Sequence, residues 1–108
     1  MMKILDTTVD MVQRIHKLAG NVARHDRDLA SQMKRSSTSV ALNCSEGIWS
    51  KAGKRRSRLE DALNSARETV MALRIARACK YLTESQAADG IAQLDGIIAV
   101  LWTLAYRR

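Results

Sequence analysis

The sequence contains no proline, no phenylalanine and only five glycines in 108 residues. Proline locks φ and removes a backbone donor, so its absence is typical of long uninterrupted helices and argues against a sheet with many tight turns. Aromatic residues make up only 4% of the chain. The core therefore has to be built from leucine, isoleucine, valine, methionine and alanine, which suit the packing of helix on helix. These absences predict an all-α protein.

Cysteine is also scarce. Cys44 and Cys79 are isolated in the sequence, neither belongs to a C-x-x-C pair, and no histidine lies at metal-ligand spacing from either of them. This spacing excludes a disulfide framework and a zinc finger. Both thiols are predicted to be reduced and partly buried.

Motifs for enzymatic chemistry are missing as well. The chain has no glycine-rich phosphate loop, and His16 and His25 do not form the Glu-x-x-His pairs that a di-iron helix bundle uses. A carboxylate pair of Glu46 and Glu68 for metal-assisted hydrolysis is the weaker alternative. We expect no enzymatic activity, no catalytic residue, no metal and no cofactor.

No apolar run has the length of a membrane span. Ile97–Ala105 is the most apolar segment and is too short to cross a bilayer. Met1–Asp10 carries acids among its apolar residues, which does not fit a signal peptide. We expect a cytoplasmic protein without a membrane partner.

Hydrophobic residues make up 46% of the chain and charged residues 27%, which is the composition of one globular domain spanning 1–108. Apolar residues recur at three- and four-residue steps in four segments. The predicted helices cover about 4–24, 27–48, 54–81 and 84–106. Asp26 is placed to cap the second helix, and Thr83 with Gln86 forms a capping box before the fourth. Similar helix lengths and short loops predict an antiparallel, up-down-up-down four-helix bundle.

The second helix carries polar residues that we assign to structure. Its run Ser36–Ser39 is poor helix sequence, so close packing of a neighbouring helix is predicted to override it. Asn43 and Glu46 are three residues apart and share one face, and Gly47 is predicted to end the helix as its C-terminal cap. A buried or interface polar network is predicted here, and such a network can fix the register of helices. Its members are Arg35, Asn43, Glu46, Ser65 and Glu68.

The fourth helix is apolar on every side near its end, over 97–106. One arc of it is predicted to face the core: Ile91, Leu94, Ile98, Leu101 and Ala105. A helix that is apolar all round needs cover all round, and a second copy of the chain is the simplest source of that cover. The predicted subunit interface consists of Ile97, Val100, Trp102, Leu104 and Tyr106. The alternative is that Trp102 and Tyr106 merely lie over loop residues.

The net charge is +7, and residues 51–80 hold nine lysines or arginines against three acids. Cations at a helix start oppose the helix dipole, so stability does not explain their position, whereas binding of an anion would. Nucleic acid is the first candidate partner, and the alternative is a solvated loop that only aids solubility. The predicted binding residues are Lys51, Lys54, Arg55, Arg56, Arg58, Arg67 and Arg74, with Trp49 placed to stack on an unpaired base.

A further group of residues falls at the spacing of a known family. It comprises Ser31, Gln32, Arg35, Leu42 to Gly47, Ser65, Glu68, Ala76, Tyr81 and Leu82, with a basic loop after Gly47. On these residues the chain resembles the bacterial four-helix-bundle family of proteins encoded in intervening sequences of 23S ribosomal RNA genes, related to the accessory protein of diversity-generating retroelements. The chain departs from the family pattern in having Ala41 near the place of a proline, and in being short at both ends.

This resemblance implies a four-helix bundle that forms a homo-oligomer, with a pentamer favoured. Nucleic acid comes second, and a reverse transcriptase or another protein is a further candidate partner. Together with the charge, the resemblance predicts a non-enzymatic homo-oligomer that binds RNA or DNA as an accessory factor. The alternative is an oligomeric protein–protein interaction scaffold with no nucleic-acid role.

Overall fold

The computed structural model describes residues 2–107, and within this range the secondary structure consists of four α-helices without a strand. The helices are α1 (Met2–Val22), α2 (Arg27–Trp49), α3 (Ala52–Ala78) and α4 (Glu84–Tyr106). Successive helices pack side by side and α4 returns to α1, which closes a bundle 42 Å long and 21 × 19 Å across. The predicted all-α four-helix bundle is therefore confirmed.

Two helix starts follow from side-chain caps. The Asp26 carboxylate accepts from the backbone N–H of Leu29 at 2.9 Å, which satisfies a free donor at the start of α2. At the start of α4 the backbone N–H of Gln86 donates to the Thr83 hydroxyl at 3.0 Å. The backbone N–H of Thr83 donates to the side-chain oxygen of Gln86, also at 3.0 Å. This reciprocal pair is the predicted capping box.

The end of α3 lies three residues before the predicted end. Lys80 takes a left-handed backbone conformation with φ of 63°, and its N–H donates to the Arg77 carbonyl at 3.0 Å. The Tyr81 N–H donates to the Ala76 carbonyl at 2.8 Å, which completes a Schellman cap. Glycine usually occupies the left-handed position of such a cap, so a lysine there gives no stop signal in the sequence.

Gly47 does not end α2, because the helix continues to Trp49. The predicted C-terminal cap at this residue is wrong. Gly47 is buried instead, and a Cβ built on it would lie 2.8 Å from Cδ2 and from Cγ of Leu59, and 3.3 Å from the Leu59 backbone nitrogen. The glycine is required by the close approach of α3, which a side chain would obstruct.

The helix α4 turns the predicted face inward, with Ile97 added to it, and Ile91, Ile98 and Ala105 of the predicted arc pack partly buried against the core. Leu94, Ile97 and Leu101 are buried, with Ile97 only 1% exposed, whereas Ile98 is partly buried. The assignment of Ile97 to a subunit interface is therefore wrong, because this side chain fills the core of its own bundle. By length and composition alone α4 could also cross a membrane, a property that core helices of soluble bundles share.

The two cysteines lie in different environments. Cys44 is buried in the core, and burial raises the pKa of its thiol to about 11, so the thiol stays protonated at neutral pH. Cys79 is exposed at the end of α3, so its predicted partial burial is wrong. Both are free thiols.

Candidate nucleic-acid interface

The arginines of the predicted basic cluster lie in the first turns of α3, and their side chains point in three different directions. The Arg55 guanidinium turns back and donates to the Ile48 carbonyl at 3.1 Å. Arg58 pairs with Glu46 at 3.3 Å, and Arg56 lies over the ring of Tyr106, 5.2 Å from its centroid. The cluster is therefore continuous along the chain but divided in space.

Three members of the predicted set remain open to a ligand at this end of the bundle. Lys51 and Lys54 are exposed, and neither makes a side-chain hydrogen bond or ion pair with another residue in 2–107. Trp49 precedes them and is 73% exposed. A tryptophan this exposed, next to free lysines, has the arrangement that stacks on a base while cations contact the backbone.

The remaining arginines form a straight edge along α3. Arg56, Arg67 and Arg74 are spaced by 11 and 7 residues, which places them within about 20° of one another around the helix. All three are exposed. The edge extends for about 27 Å at 1.5 Å per residue, a length that several consecutive nucleotides would cover.

The end of α4 lies beside this arginine edge. The Tyr106 hydroxyl donates to the Glu60 carboxylate at 2.7 Å, and this hydrogen bond raises the pKa of Tyr106 above its ordinary value. Trp102 packs against Tyr106 at a tilt of 53°, with ring centroids 5.2 Å apart, and stays 53% exposed. Tyr106 therefore contacts side chains of α3, and Trp102 contacts Tyr106.

The predicted interface residues of α4 do not share one surface. Val100 and Leu104 lie on the α1 side of α4, whereas Trp102 and Tyr106 lie on the α3 side. The α1 side is an open apolar groove of about 550 Å³, and α1 packs less closely on α4 than the other neighbouring helices pack on each other. Its lining includes Ile4, Ile97, Val100 and Leu104, together with Ala92 and Gly96.

Hydroxyl groups connect α2 with α3 along the predicted polar network. The Thr69 hydroxyl donates to the Ser65 carbonyl at 2.8 Å, and the buried Ser36 hydroxyl lies 2.7 Å from the Thr69 hydroxyl. Ser39 and Ser65 hydroxyls are 2.8 Å apart, and Asn43 donates to the Ser39 hydroxyl at 3.0 Å. The predicted members Asn43 and Ser65 thus belong to one connected network.

The other predicted network members are Arg35, Glu46 and Glu68, and they form pairs near the two ends of the contact between α2 and α3. Gln32 donates to the Glu68 carboxylate, and Arg35 donates to the Gln32 side chain at 2.9 Å. Glu46 bonds to Arg58 and contacts neither Asn43 nor Arg35 by a hydrogen bond among residues 2–107. Sequence reasoning included Ser65 but missed the hydroxyls of Ser36, Ser39 and Thr69, although small polar residues three or four apart on α2 were the available signal.

Within residues 2–107 no three His, Cys, Asp or Glu side chains come together as a metal-binding group. Glu46 and Glu68 each pair with a different side chain, so the structure does not unite them. His16 is exposed and lies 3.2 Å from the Thr38 hydroxyl, and the ring of the exposed His25 stacks on Tyr81 with centroids 5.0 Å apart.

The fold and the site define an antiparallel four-helix bundle with a cationic edge on its third helix. The family model described as 23S rRNA-intervening sequence protein matches residues 1–103, and the chain belongs to that family. A search of curated proteins finds no match.

A solved structure supports the same fold. It is a protein of unknown function from the S23 ribosomal protein family of Bacteroides thetaiotaomicron, which is similar to this chain with a TM-score of 0.88 and 22% identity. The match covers 95% of this chain and 98% of the other. At this identity the likeness shows the fold alone, and the relation to retroelement proteins stays a prediction.

Proposed function

We propose that the protein is a non-enzymatic, self-associating accessory factor that binds nucleic acid along the cationic edge of α3. The observation that carries the proposal is the alignment of Arg56, Arg67 and Arg74 on one edge of α3, with Lys51 and Lys54 free at the start of the same helix. Binding to phosphates releases counterions from the nucleic acid, so a row of unpaired cations produces affinity without reading sequence.

The three arginines of this edge outnumber the acids beside it. Glu60 lies next to the edge and accepts from Tyr106, whereas Glu68 lies about 100° around α3 from Arg67 and accepts from Gln32. The exposed Trp49 adds a flat apolar surface beside Lys51, which suits an unpaired base better than a duplex. The proposed ligand is therefore a flexible single strand, with duplex DNA as the comparison.

Self-association would multiply this edge. The groove lined by Ile4, Val100 and Leu104 exposes apolar surface that no other part of 2–107 covers. A second copy docked there would remove that surface from water. Each copy would also add its own cationic edge, so that weak phosphate contacts act together on one strand. A closed ring, with a pentamer favoured, is the arrangement that we propose.

Removing three free cations tests the nucleic-acid role. The variant Lys51→Ala, Lys54→Ala and Arg74→Ala is expected to weaken binding to a mixed-sequence single-stranded RNA. The slope of log affinity against log salt should become less negative by about 2, because each phosphate contact on a single strand contributes about 0.7. Fluorescence anisotropy at several salt concentrations measures both quantities, with duplex DNA as the second probe.

The matched control is Arg14→Ala with Lys17→Ala, two exposed cations on α1 that lie near α4 and away from the edge. This control should keep the wild-type slope. Wild-type protein that binds neither RNA nor DNA at low salt would contradict the proposal, and so would a triple variant with an unchanged slope. Binding of a protein that persists at high salt would support the alternative scaffold function instead.

A substitution in the groove between α1 and α4 tests the proposed self-association. Val100→Glu places a charge in the α1–α4 groove and is expected to leave a folded single copy, because docking a second copy there would take the carboxylate out of water. Light scattering coupled to gel filtration measures the mass, and circular dichroism checks that the helices remain. Thr103→Glu, an exposed change on the outer side of α4, should keep the wild-type mass. Wild-type protein that is a single copy at micromolar concentration rules this part out.

A further inference from the structure

The outer face of α2 carries a second cationic groove that the arginine edge does not include. Arg35, Leu42 and Glu46 lie on the side of α2 opposite its buried residues, at spacings of 7 and 4. His16 of α1 flanks this face through its contact with Thr38, and Arg58 of α3 flanks it through its ion pair with Glu46. Residues of three helices thus border a shallow, open groove of about 480 Å³.

The charge of this groove is positive. Lys34, Arg35 and Arg58 line it against one carboxylate, Glu46, and His16 adds a ring that donates or accepts. Arg58 and Glu46 are 42% and 56% exposed, and an ion pair this open to solvent exchanges partners readily. An anionic ligand that takes over Arg58 therefore competes only with a weak contact.

The other lining groups suit a ligand larger than a simple ion. Leu42 is 60% exposed, which gives the groove an apolar wall. Asn43 lies beside it, and its side-chain NH2 group donates to the carbonyl and to the hydroxyl of Ser39. A phosphate with an attached sugar or base would meet cations and an apolar surface together, as nucleic-acid sites on proteins commonly provide.

We propose that this groove binds a phosphate of the same single strand that follows the α3 edge, with Lys34, Arg35 and Arg58 as its ligands. The inference rests on the proposed function. Lys54 and Arg58 are four residues apart on one side of α3, about 160° around the helix from Arg56, so they join the groove to the start of α3. The strand would pass from Lys51 and Lys54 over Arg58 and onto α2.

Lys34→Ala with Arg35→Ala tests the groove without touching the core, because both side chains are exposed. The salt slope for single-stranded RNA should become less negative by about 1.4, which is 0.7 for each lost contact. Arg14→Ala with Lys17→Ala removes the same charge elsewhere and should leave the slope unchanged.

The two histidines supply a second readout by proton NMR. At constant pH, addition of the RNA should shift the ring resonances of His16, which lines the groove, and leave those of His25, which stacks on Tyr81 away from it. Titration with inorganic phosphate alone distinguishes a free-phosphate site, which would shift His16 equally, from the proposed strand contact.

The outcomes separate the two proposals. If the variant at Lys34 and Arg35 behaves like the control while loss of Lys51, Lys54 and Arg74 weakens binding, the groove proposal is wrong and the function stands. If the wild type binds no RNA, both are wrong. A His16 shift with free phosphate as large as that with RNA also overturns the strand path.

Discussion

Replacing Gly47 by alanine is expected to lower the free energy of unfolding by about 1–2 kcal/mol, although alanine is the better helix former. The new Cβ would come within 2.8 Å of two Leu59 side-chain atoms and 3.3 Å from the Leu59 backbone nitrogen. Both groups are held by the α2–α3 contact, and overpacking of this kind costs about 1–3 kcal/mol. The gain in helix propensity of up to about 1 kcal/mol offsets only part of that cost. Urea denaturation followed by circular dichroism measures the change.

Gly20 supplies the matched control for this substitution. It also lies in a helix, but a Cβ built on it would meet nothing within 4 Å. Gly20→Ala should therefore leave stability unchanged or raise it by up to about 1 kcal/mol through propensity alone. If Gly20→Ala and Gly47→Ala changed the free energy of unfolding equally, α3 could not approach Gly47 as closely as the structure shows.

Replacing Leu59 by alanine is expected to have the larger effect, a loss of about 3 kcal/mol. Leu59 is fully buried, and truncation removes its transfer free energy and leaves a cavity beside Gly47. The same truncation at Leu42, which is exposed on α2, should change stability by less than about 0.5 kcal/mol. The same urea titration at one protein concentration gives both values.

The two core substitutions should also couple. Once Leu59 is alanine, the Cγ and Cδ2 atoms that obstruct a Cβ at Gly47 are gone. In that background Gly47→Ala should be neutral or stabilising, so that the double variant is about 1–2 kcal/mol more stable than the sum of the single effects. Additive effects of the two changes would contradict this account of why α2 carries a glycine there.

The fold could be predicted from the sequence because its signals were local. The spacing of apolar residues and the capping box at Thr83 define four helices without any knowledge of their neighbours. The burial of Ile97 on α4 could not be predicted in the same way. Its last three turns are apolar all round, so nothing in the sequence distinguishes the buried Ile97 from the partly buried Ile98, and only the position of α1 and α3 decides.

The candidate site was predictable in composition but not in arrangement. The excess of cations in 51–80 is visible in the sequence, whereas the partner of each cation depends on where other helices place a carbonyl, a carboxylate or a ring. Arg55 meets the Ile48 carbonyl, and Arg56 meets Tyr106, which is 50 residues away in the chain. Long-range pairs of this kind leave no periodic trace in a single sequence.

The hydroxyl pairs between α2 and α3 have a consequence for how those helices align. A seam of small side chains tolerates sliding by one turn, because alanine and serine leave similar surfaces at each step. Ser36 with Thr69, and Ser39 with Ser65, satisfy each other in only one alignment, and a slide would leave a hydroxyl without its partner inside the protein. The same alignment brings Arg58 opposite Glu46. A few small polar groups in the interior thereby decide which charges meet on the outside.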